Sequence, residues 1–164
     1  MNIQLISLFL ATMTTGLMAG IFFTWTNAVT PGIGKLTDKE YLSALQTMNR
    51  DILNPVFYLL FFCPIITLPL ATVVHYESGY SLLFKLLFVA SAIYLIGVFF
   101  ITIWGNIPLN NLLDKTELGD ISHQSVRNLR DAIETKWNNF NLIRSITSSV
   151  SFILLILICL LVAN

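Results

Sequence analysis

The side chains of this sequence that could do chemistry are carboxamides, indoles and guanidinium groups at the ends of long apolar runs. Carboxamide and guanidinium groups are costly in an apolar environment unless paired, so they should hydrogen-bond one another or line a wet, ligand-sized pocket. His123 is predicted at the same end of the protein as these groups, and histidine is the residue type whose unperturbed pKa suits proton transfer near neutrality. The alternative is that His123 is simply an exposed residue at the start of a helix. The other candidate site residues are Trp25, Gln46, Asn49, Arg50, Trp104, Asn106, Asn110, Trp137, Asn141 and Arg144.

Helical spacing places two sets of three candidates each on one face. The first set is Gln46, Asn49 and Arg50, and the second is Trp137, Asn141 and Arg144. Asn106 and Asn110 flank Pro108, and we expect this segment to leave the helix with its amides free to bind backbone or ligand. A purely structural alternative is that indoles anchor helices at the membrane interface, amides cap helix ends and arginines snorkel.

Four apolar runs position these side chains. Apolar residues make up 55% of the chain and charged residues only 11%, and the mean hydropathy is +0.76, so part of the apolar surface must face lipid. Crossing a bilayer takes roughly 20 apolar residues. We predict membrane spans at about 3–27, 53–74, 82–104 and 143–163 within a single membrane domain covering residues 1–164.

Two amphipathic helices are predicted in the longer connections, at about 38–50 and 122–138, and the second could continue into the fourth span. Thr37 and Glu40 have the spacing of a capping box at the start of the first. The predicted fold is therefore all-α, an integral membrane four-helix bundle with two short extramembrane helices in the loops on one face. The candidate residues all fall at that same end, whereas the end with the short connection 75–81 has few polar groups.

The charge distribution indicates an orientation. Eight of the nine Lys and Arg residues lie in or beside the two long connections, and Lys85 alone lies beside the short one. The positive-inside rule then places the long connections in the cytoplasm, most simply in a bacterial inner membrane. The zero net charge argues against nucleic acid, and the expected partners are membrane lipid and a small lipophilic aromatic ligand. A homo-oligomer is an open alternative to a monomer.

Several kinds of chemistry find no support in the sequence. No HExxH, CxxC, GxSxG or phosphate-loop glycine pattern occurs. The predicted topology puts His75 and His123 on opposite membrane faces, so we predict no metal site. Cys63 and Cys159 lie in apolar runs and are interpreted as packing residues. No cofactor is evident, and the cofactor remains unknown.

Four sequence motifs are distinctive in this chain. The first is Gly20-Ile-Phe-Phe23 followed by Thr30-Pro-Gly, and the second is Gln46-Thr-Met-Asn-Arg50 followed by Asn54-Pro55. The third is Thr102-Ile-Trp-Gly-Asn-Ile-Pro-Leu-Asn110, and the fourth is Trp137-x-x-x-Asn141-x-x-Arg144. Together these motifs resemble the anthrone-oxygenase-like family of small four-helix membrane proteins. The resemblance spans nearly the whole chain, and the last two motifs are its most specific parts.

Fungal members of that family are associated with oxidising anthrones to anthraquinones without a conventional cofactor. The resemblance implies a base that forms an enolate and donors that hold its oxyanion while dioxygen reacts. It would make His123 the base, and Arg50, Arg144, Asn106 and the other amides the donors. The indoles of Trp25, Trp104 and Trp137 would stack a flat aromatic ligand.

Three functional hypotheses follow. The first is a membrane oxidoreductase, possessing no evident cofactor, that acts as an oxygenase on an anthrone- or quinone-like substrate. The second is a non-enzymatic lipid- or partner-binding subunit whose polar end is structural. A transporter ranks third, because the mid-membrane stretches lack ionisable residues and broken helices.

Overall fold

The computed structural model describes residues 3–76 and 81–163, so part of the short connection 75–81 lies outside the described residues. Five helices form: α1 (Ile3–Ile33), α2 (Asp38–Asp51), α3 (Pro55–Val74), α4 (Leu82–Asp114) and α5 (His123–Ala163). All but α2 are long and apolar enough to cross a membrane. Within 3–76 and 81–163 there is no strand. The all-α prediction with four membrane spans is confirmed, and the chain is a multi-pass membrane protein.

The four long helices pack as a bundle in which α1 and α4 each contact both α3 and α5. The interior is apolar, and Met18, Leu68, Leu87 and Leu155 are fully buried in it. Many other large apolar side chains of the same helices are exposed, as expected of surfaces that face acyl chains. The bundle therefore has an apolar core and an apolar outer surface.

Helix α5 is one continuous helix of 41 residues, so the amphipathic helix predicted at 122–138 is its N-terminal part. At 1.5 Å per residue it is about 60 Å long, roughly twice the thickness of a hydrocarbon core. Helix α2 packs on this extension, where Tyr41, Leu42 and Leu45 are fully buried against Ile133 and Trp137. The capping box predicted from Thr37 and Glu40 is present at the start of α2. The polar end of the bundle thus has a small core of its own.

Helices α1 and α4 continue beyond their predicted ends at residues 27 and 104. The prediction that the segment around Pro108 leaves the helix is wrong, because α4 remains helical through Asp114. A π-helical turn precedes the proline in each helix, at Trp25–Val29 before Pro31 and at Thr102–Asn106 before Pro108. Such turns use i→i+5 hydrogen bonds in place of the i→i+4 bonds of an α-helix. This changes the positions of the backbone carbonyl groups with which a proline ring would otherwise clash. Both prolines are therefore accommodated without ending the helix.

Candidate active site

A cavity of about 160 Å³ lies at the polar end of the bundle, between α1, α3, α4 and α5, with α2 beside it. One water needs roughly 15 Å³ on the same measure, so the cavity can hold a small organic molecule. Most of its wall is aliphatic or aromatic. Its polar lining consists of Asn49, Thr102, Asn106, Asn110, Asn141 and Arg144. An apolar pocket with a few convergent polar groups is the usual form of a small-molecule site.

Seven of the eleven candidate residues line this one cavity. They are Trp25, Asn49, Asn106, Asn110, Trp137, Asn141 and Arg144. Close approach of α4 to α5 helps to bring them together. A Cβ on Gly105 would lie 2.7 Å from the ring of Phe140, and one on Gly97 would overlap Thr147. These two glycines therefore permit the contact between α4 and α5 beside the cavity.

Arg144 is the charged residue of the cavity wall, and it is 7% exposed. Its Nη2 donates to Asn141 Oδ1 at 2.8 Å, and its Nη1 donates to Thr102 Oγ1 at 3.4 Å. The guanidinium carbon lies 4.5 Å from the ring centroid of Phe22 and 5.7 Å from that of Trp137. Its Nε has no hydrogen-bond partner among the described residues, and no acidic residue belongs to the described lining. The guanidinium therefore has one buried N–H group without a partner and no counter-ion in the described lining.

Asn106 and Asn141 are each 1% exposed and lie on facing helices. The Asn141 amide donates to Thr26 Oγ1 at 2.7 Å and to the carbonyl of Phe22 at 3.3 Å, which ties α5 to α1. The Asn106 amide donates to the carbonyl of Trp137 at 3.4 Å, while its Oδ1 has no partner within the described part of the chain. Arg144 and Asn106, which both line this cavity, therefore each have one buried polar atom without a partner among the described residues.

Asn110 joins three elements through its Oδ1, which accepts two hydrogen bonds. Trp137 Nε1 donates to it at 2.7 Å, and Asn49 Nδ2 donates at 3.1 Å. The Trp137 ring in turn lies 5.2 Å from that of Trp25, with a 47° angle between the planes. Asn110 therefore fixes the indole that forms one wall of the cavity.

Arg50 and Gln46, both predicted as site residues, do not line the cavity. Arg50 pairs with Asp114 at the surface, where both side chains are more than half exposed. Gln46 donates to the carbonyls of Leu113 and Thr116 at 2.8 and 3.2 Å. In the structure, Arg50 and Gln46 hold α2 against the C-terminal end of α4.

Trp104 and His123 also lie away from the cavity. Trp104 is 73% exposed and stacks on Phe100, with ring centroids 4.9 Å apart, on the outer surface of α4. His123 begins α5, 21 residues before Arg144, which corresponds to about 32 Å along a helix. It borders a separate surface groove together with Thr37 and Arg127. The geometry gives His123 no route to act as a base in this cavity.

Sequence reasoning missed the aromatic wall supplied by α1 and α3. Phe22, Phe57 and Phe61 line the cavity, and the last two lie one helical turn apart. Such phenylalanines look like ordinary core or lipid-facing residues in a sequence of this composition. Over residues 3–76 and 81–163, no group of three or more His, Cys, Asp or Glu side chains is arranged to hold a metal ion.

Comparison with known proteins gives one result. The family model described as anthrone oxygenase matches residues 57–154, which include Asn106, Asn110, Trp137, Asn141 and Arg144. Neither the curated proteins nor the solved structures contain a match to the chain. Since the matched segment covers more than half of the sequence, the chain belongs to the anthrone oxygenase family.

Proposed function

We propose that the protein is a membrane oxygenase that oxidises a lipophilic aromatic ketone of the anthrone type inside this cavity. The observation that carries the proposal is the buried guanidinium of Arg144, which has no acidic partner in the described lining and an unused Nε. A buried charge without a counter-ion costs several kcal/mol. A ligand that carries negative charge in the cavity would offset that cost.

Arg144 would act by stabilising the enolate of the substrate. No carboxylate, imidazole or thiol belongs to the described lining, so the methylene proton of anthrone would pass to a water molecule that shares the cavity with the substrate. The resulting negative charge would reside largely on the ketone oxygen. A preorganised guanidinium in an apolar cavity favours that oxyanion far more than bulk water would. Asn141 and Thr102 hold the guanidinium in place, and Phe22 and Trp137 exclude water from its faces.

The enolate would then react with dioxygen at the former methylene carbon. One electron passes to dioxygen, and the two radicals combine to form a carbon–oxygen bond and, after protonation, a hydroperoxide. Loss of water from the hydroperoxide gives the second carbonyl of anthraquinone. Anthrone plus dioxygen thus yields anthraquinone plus water, with no external reductant. Asn106 Oδ1 is an available acceptor for a hydroxyl or hydroperoxide proton of the bound species.

The test is turnover of anthrone by the purified protein in nanodiscs. Oxygen uptake should accompany anthraquinone formation, and label from ¹⁸O₂ should enter the new carbonyl. Replacing Asn106 with Leu should lower kcat/KM by roughly tenfold, because a hydrogen bond of about 1.5 kcal/mol between Asn106 and the bound species is lost. Arg50→Met is the matched control and should retain activity. Equal turnover in empty nanodiscs and in protein-containing ones would reject the proposal.

A non-enzymatic subunit is the second candidate, favoured by the extent to which the amides pair with the protein itself. Asn49, Asn110 and Trp137 form one hydrogen-bonded set, and Asn141 joins two helices. If the polar end is only structural, Asn106→Leu should change thermal stability and leave no activity to lose.

A further inference from the structure

The lining of the cavity changes character from its inner end to its outer end. The inner end holds Asn106, Asn141 and Arg144, which are 1%, 1% and 7% exposed. The strongly exposed lining residues are all aliphatic or aromatic, namely Leu53, Tyr58, Phe62 and Ile107, at 56%, 43%, 48% and 42%. The charge is thus enclosed, and the mouth of the cavity is apolar.

The mouth lies between α3 and α4, which are both long enough to cross the membrane, and Leu53 in the connection before α3 borders it. Tyr58 and Phe62 fall within the first two turns of α3, about 5–10 Å along the helix from Pro55. Exposed side chains at that depth of a spanning helix face the boundary between headgroups and acyl chains. The mouth therefore opens sideways toward lipid.

The aqueous end of the cavity is covered by α2. Asn49 itself lines the cavity and donates to Asn110, while Gln46 and Arg50 hold α2 to the last turn of α4. A ligand arriving from water would have to displace these contacts. A ligand arriving from the bilayer would enter between the aliphatic and aromatic side chains of the mouth, without displacing these contacts.

We propose that the ligand is an amphiphile whose oxygenated aromatic ring occupies the inner end while a hydrocarbon tail leaves through the α3–α4 mouth into the bilayer. This inference rests on the proposed function, because it takes Arg144 and Asn106 as the binding groups of the ring. It adds that the substrate class includes alkyl-tailed aromatics. An enclosed cavity of this size would reject them.

The experiment compares anthrone with 2-decylanthrone, using calorimetric titration of protein in phosphatidylcholine nanodiscs against empty nanodiscs. Dissociation constants are expressed as mole fractions in lipid, so that the greater partitioning of the tailed probe cancels. Both probes should bind wild type within about threefold of each other, since the tail exchanges one apolar environment for another. Ile107→Trp, which narrows the mouth, should weaken the decyl probe by at least about tenfold and anthrone by less than about threefold.

Leu112→Trp is the matched control, because Leu112 is 47% exposed on the same helix and does not line the cavity. It should leave both probes unaffected. Binding of anthrone alone to wild type would overturn the tailed-ligand inference while leaving the proposed function standing. Equal responses of both probes to Ile107→Trp, including no response, would overturn it as well. If neither probe binds and anthrone is not oxidised, both proposals fail.

Discussion

Replacing Arg144 with Met tests whether this residue serves catalysis or the stability of the fold. The methionine side chain fills a similar volume and removes the charge. Two stabilising contributions disappear with it. The charge-assisted hydrogen bond to Asn141 contributes about 1.5–3 kcal/mol, and the contacts with the Phe22 and Trp137 rings contribute about 0.5–2 kcal/mol.

The change also removes a destabilising contribution of similar size. Enclosing a guanidinium without a carboxylate partner costs several kcal/mol, and the methionine does not bear that cost. The free energy of unfolding of Arg144→Met should therefore stay within about 1 kcal/mol of wild type. Loss of the donor to the developing oxyanion should lower kcat by roughly 10²–10³. The predicted signature is a folded protein that has lost its turnover.

Arg130→Met supplies the matched control on the same helix. Arg130 bonds Glu134 and Asp38 and also donates to the carbonyls of Gly34 and Leu36, and its side chain is 13% exposed. Removing it leaves two carboxylates without their partner, and we expect a loss of about 2 kcal/mol after allowing for the exposure of Asp38. Turnover per folded molecule should be unchanged.

The assays are thermal unfolding in detergent and anthrone-dependent oxygen uptake at matched folded fraction. The reasoning is refuted if Arg144→Met keeps kcat within about threefold of wild type. It is refuted equally if Arg144→Met unfolds like Arg130→Met and loses activity only in proportion to the unfolded fraction. In that case the guanidinium would be a structural group.

Two further predictions concern helix packing and pH. Gly105→Ala should destabilise the protein by about 1–3 kcal/mol and lower its activity, because the new Cβ would lie 2.7 Å from the Phe140 ring. The control is Gly20→Ala, whose Cβ would have no other atom within 4 Å. In thermal unfolding this control should be as stable as wild type or more stable. The Thr37 hydrogen bonds lower the pKa of Glu40 from 4.5, so its stabilising contribution is complete above about that pH and is lost as pH falls through the folded-state pKa. Thermal unfolding of wild type and Glu40→Gln should therefore differ at pH 7 and converge in acid, and a constant difference would contradict the capping role.

The fold followed from the sequence because hydropathy and helix-start signals are local properties. The span lengths were less predictable, since the prolines at 31 and 108 are ordinary helix-ending signals and no local sequence pattern indicates the π turns before them. The separation of Trp104 from the cavity could have been read from the sequence. Two residues turn an α-helix by about 200°, so Trp104 and Asn106 face nearly opposite directions.

The roles of Arg50 and Gln46 could not be read from the sequence. Their helical spacing indicates that they share one side of α2 with Asn49. Residues on one side of a helix can, however, contact either the edge of a cavity or a neighbouring helix. Which of these a side chain contacts depends on Asp114 and Leu113, more than sixty residues further along the chain. The position of His123 could not be predicted for a related reason, since its distance from Arg144 depends on the unbroken course of α5.

The π turn of α4 also explains why three polar residues of that helix reach one cavity. In a regular α-helix each step of four residues exceeds a full turn by about 40°, so Thr102 and Asn110 would point about 80° apart. A π turn takes more residues per turn, so the step from Thr102 to Asn106 falls short of a full turn. The following α-helical step to Asn110 exceeds it, and the two deviations oppose each other. Three side chains therefore line one side of α4: the Thr102 hydroxyl that supports Arg144, the Asn106 carboxamide with its unpaired oxygen, and the Asn110 carboxamide that fixes Trp137. The irregular helix geometry is thus part of how the site is built.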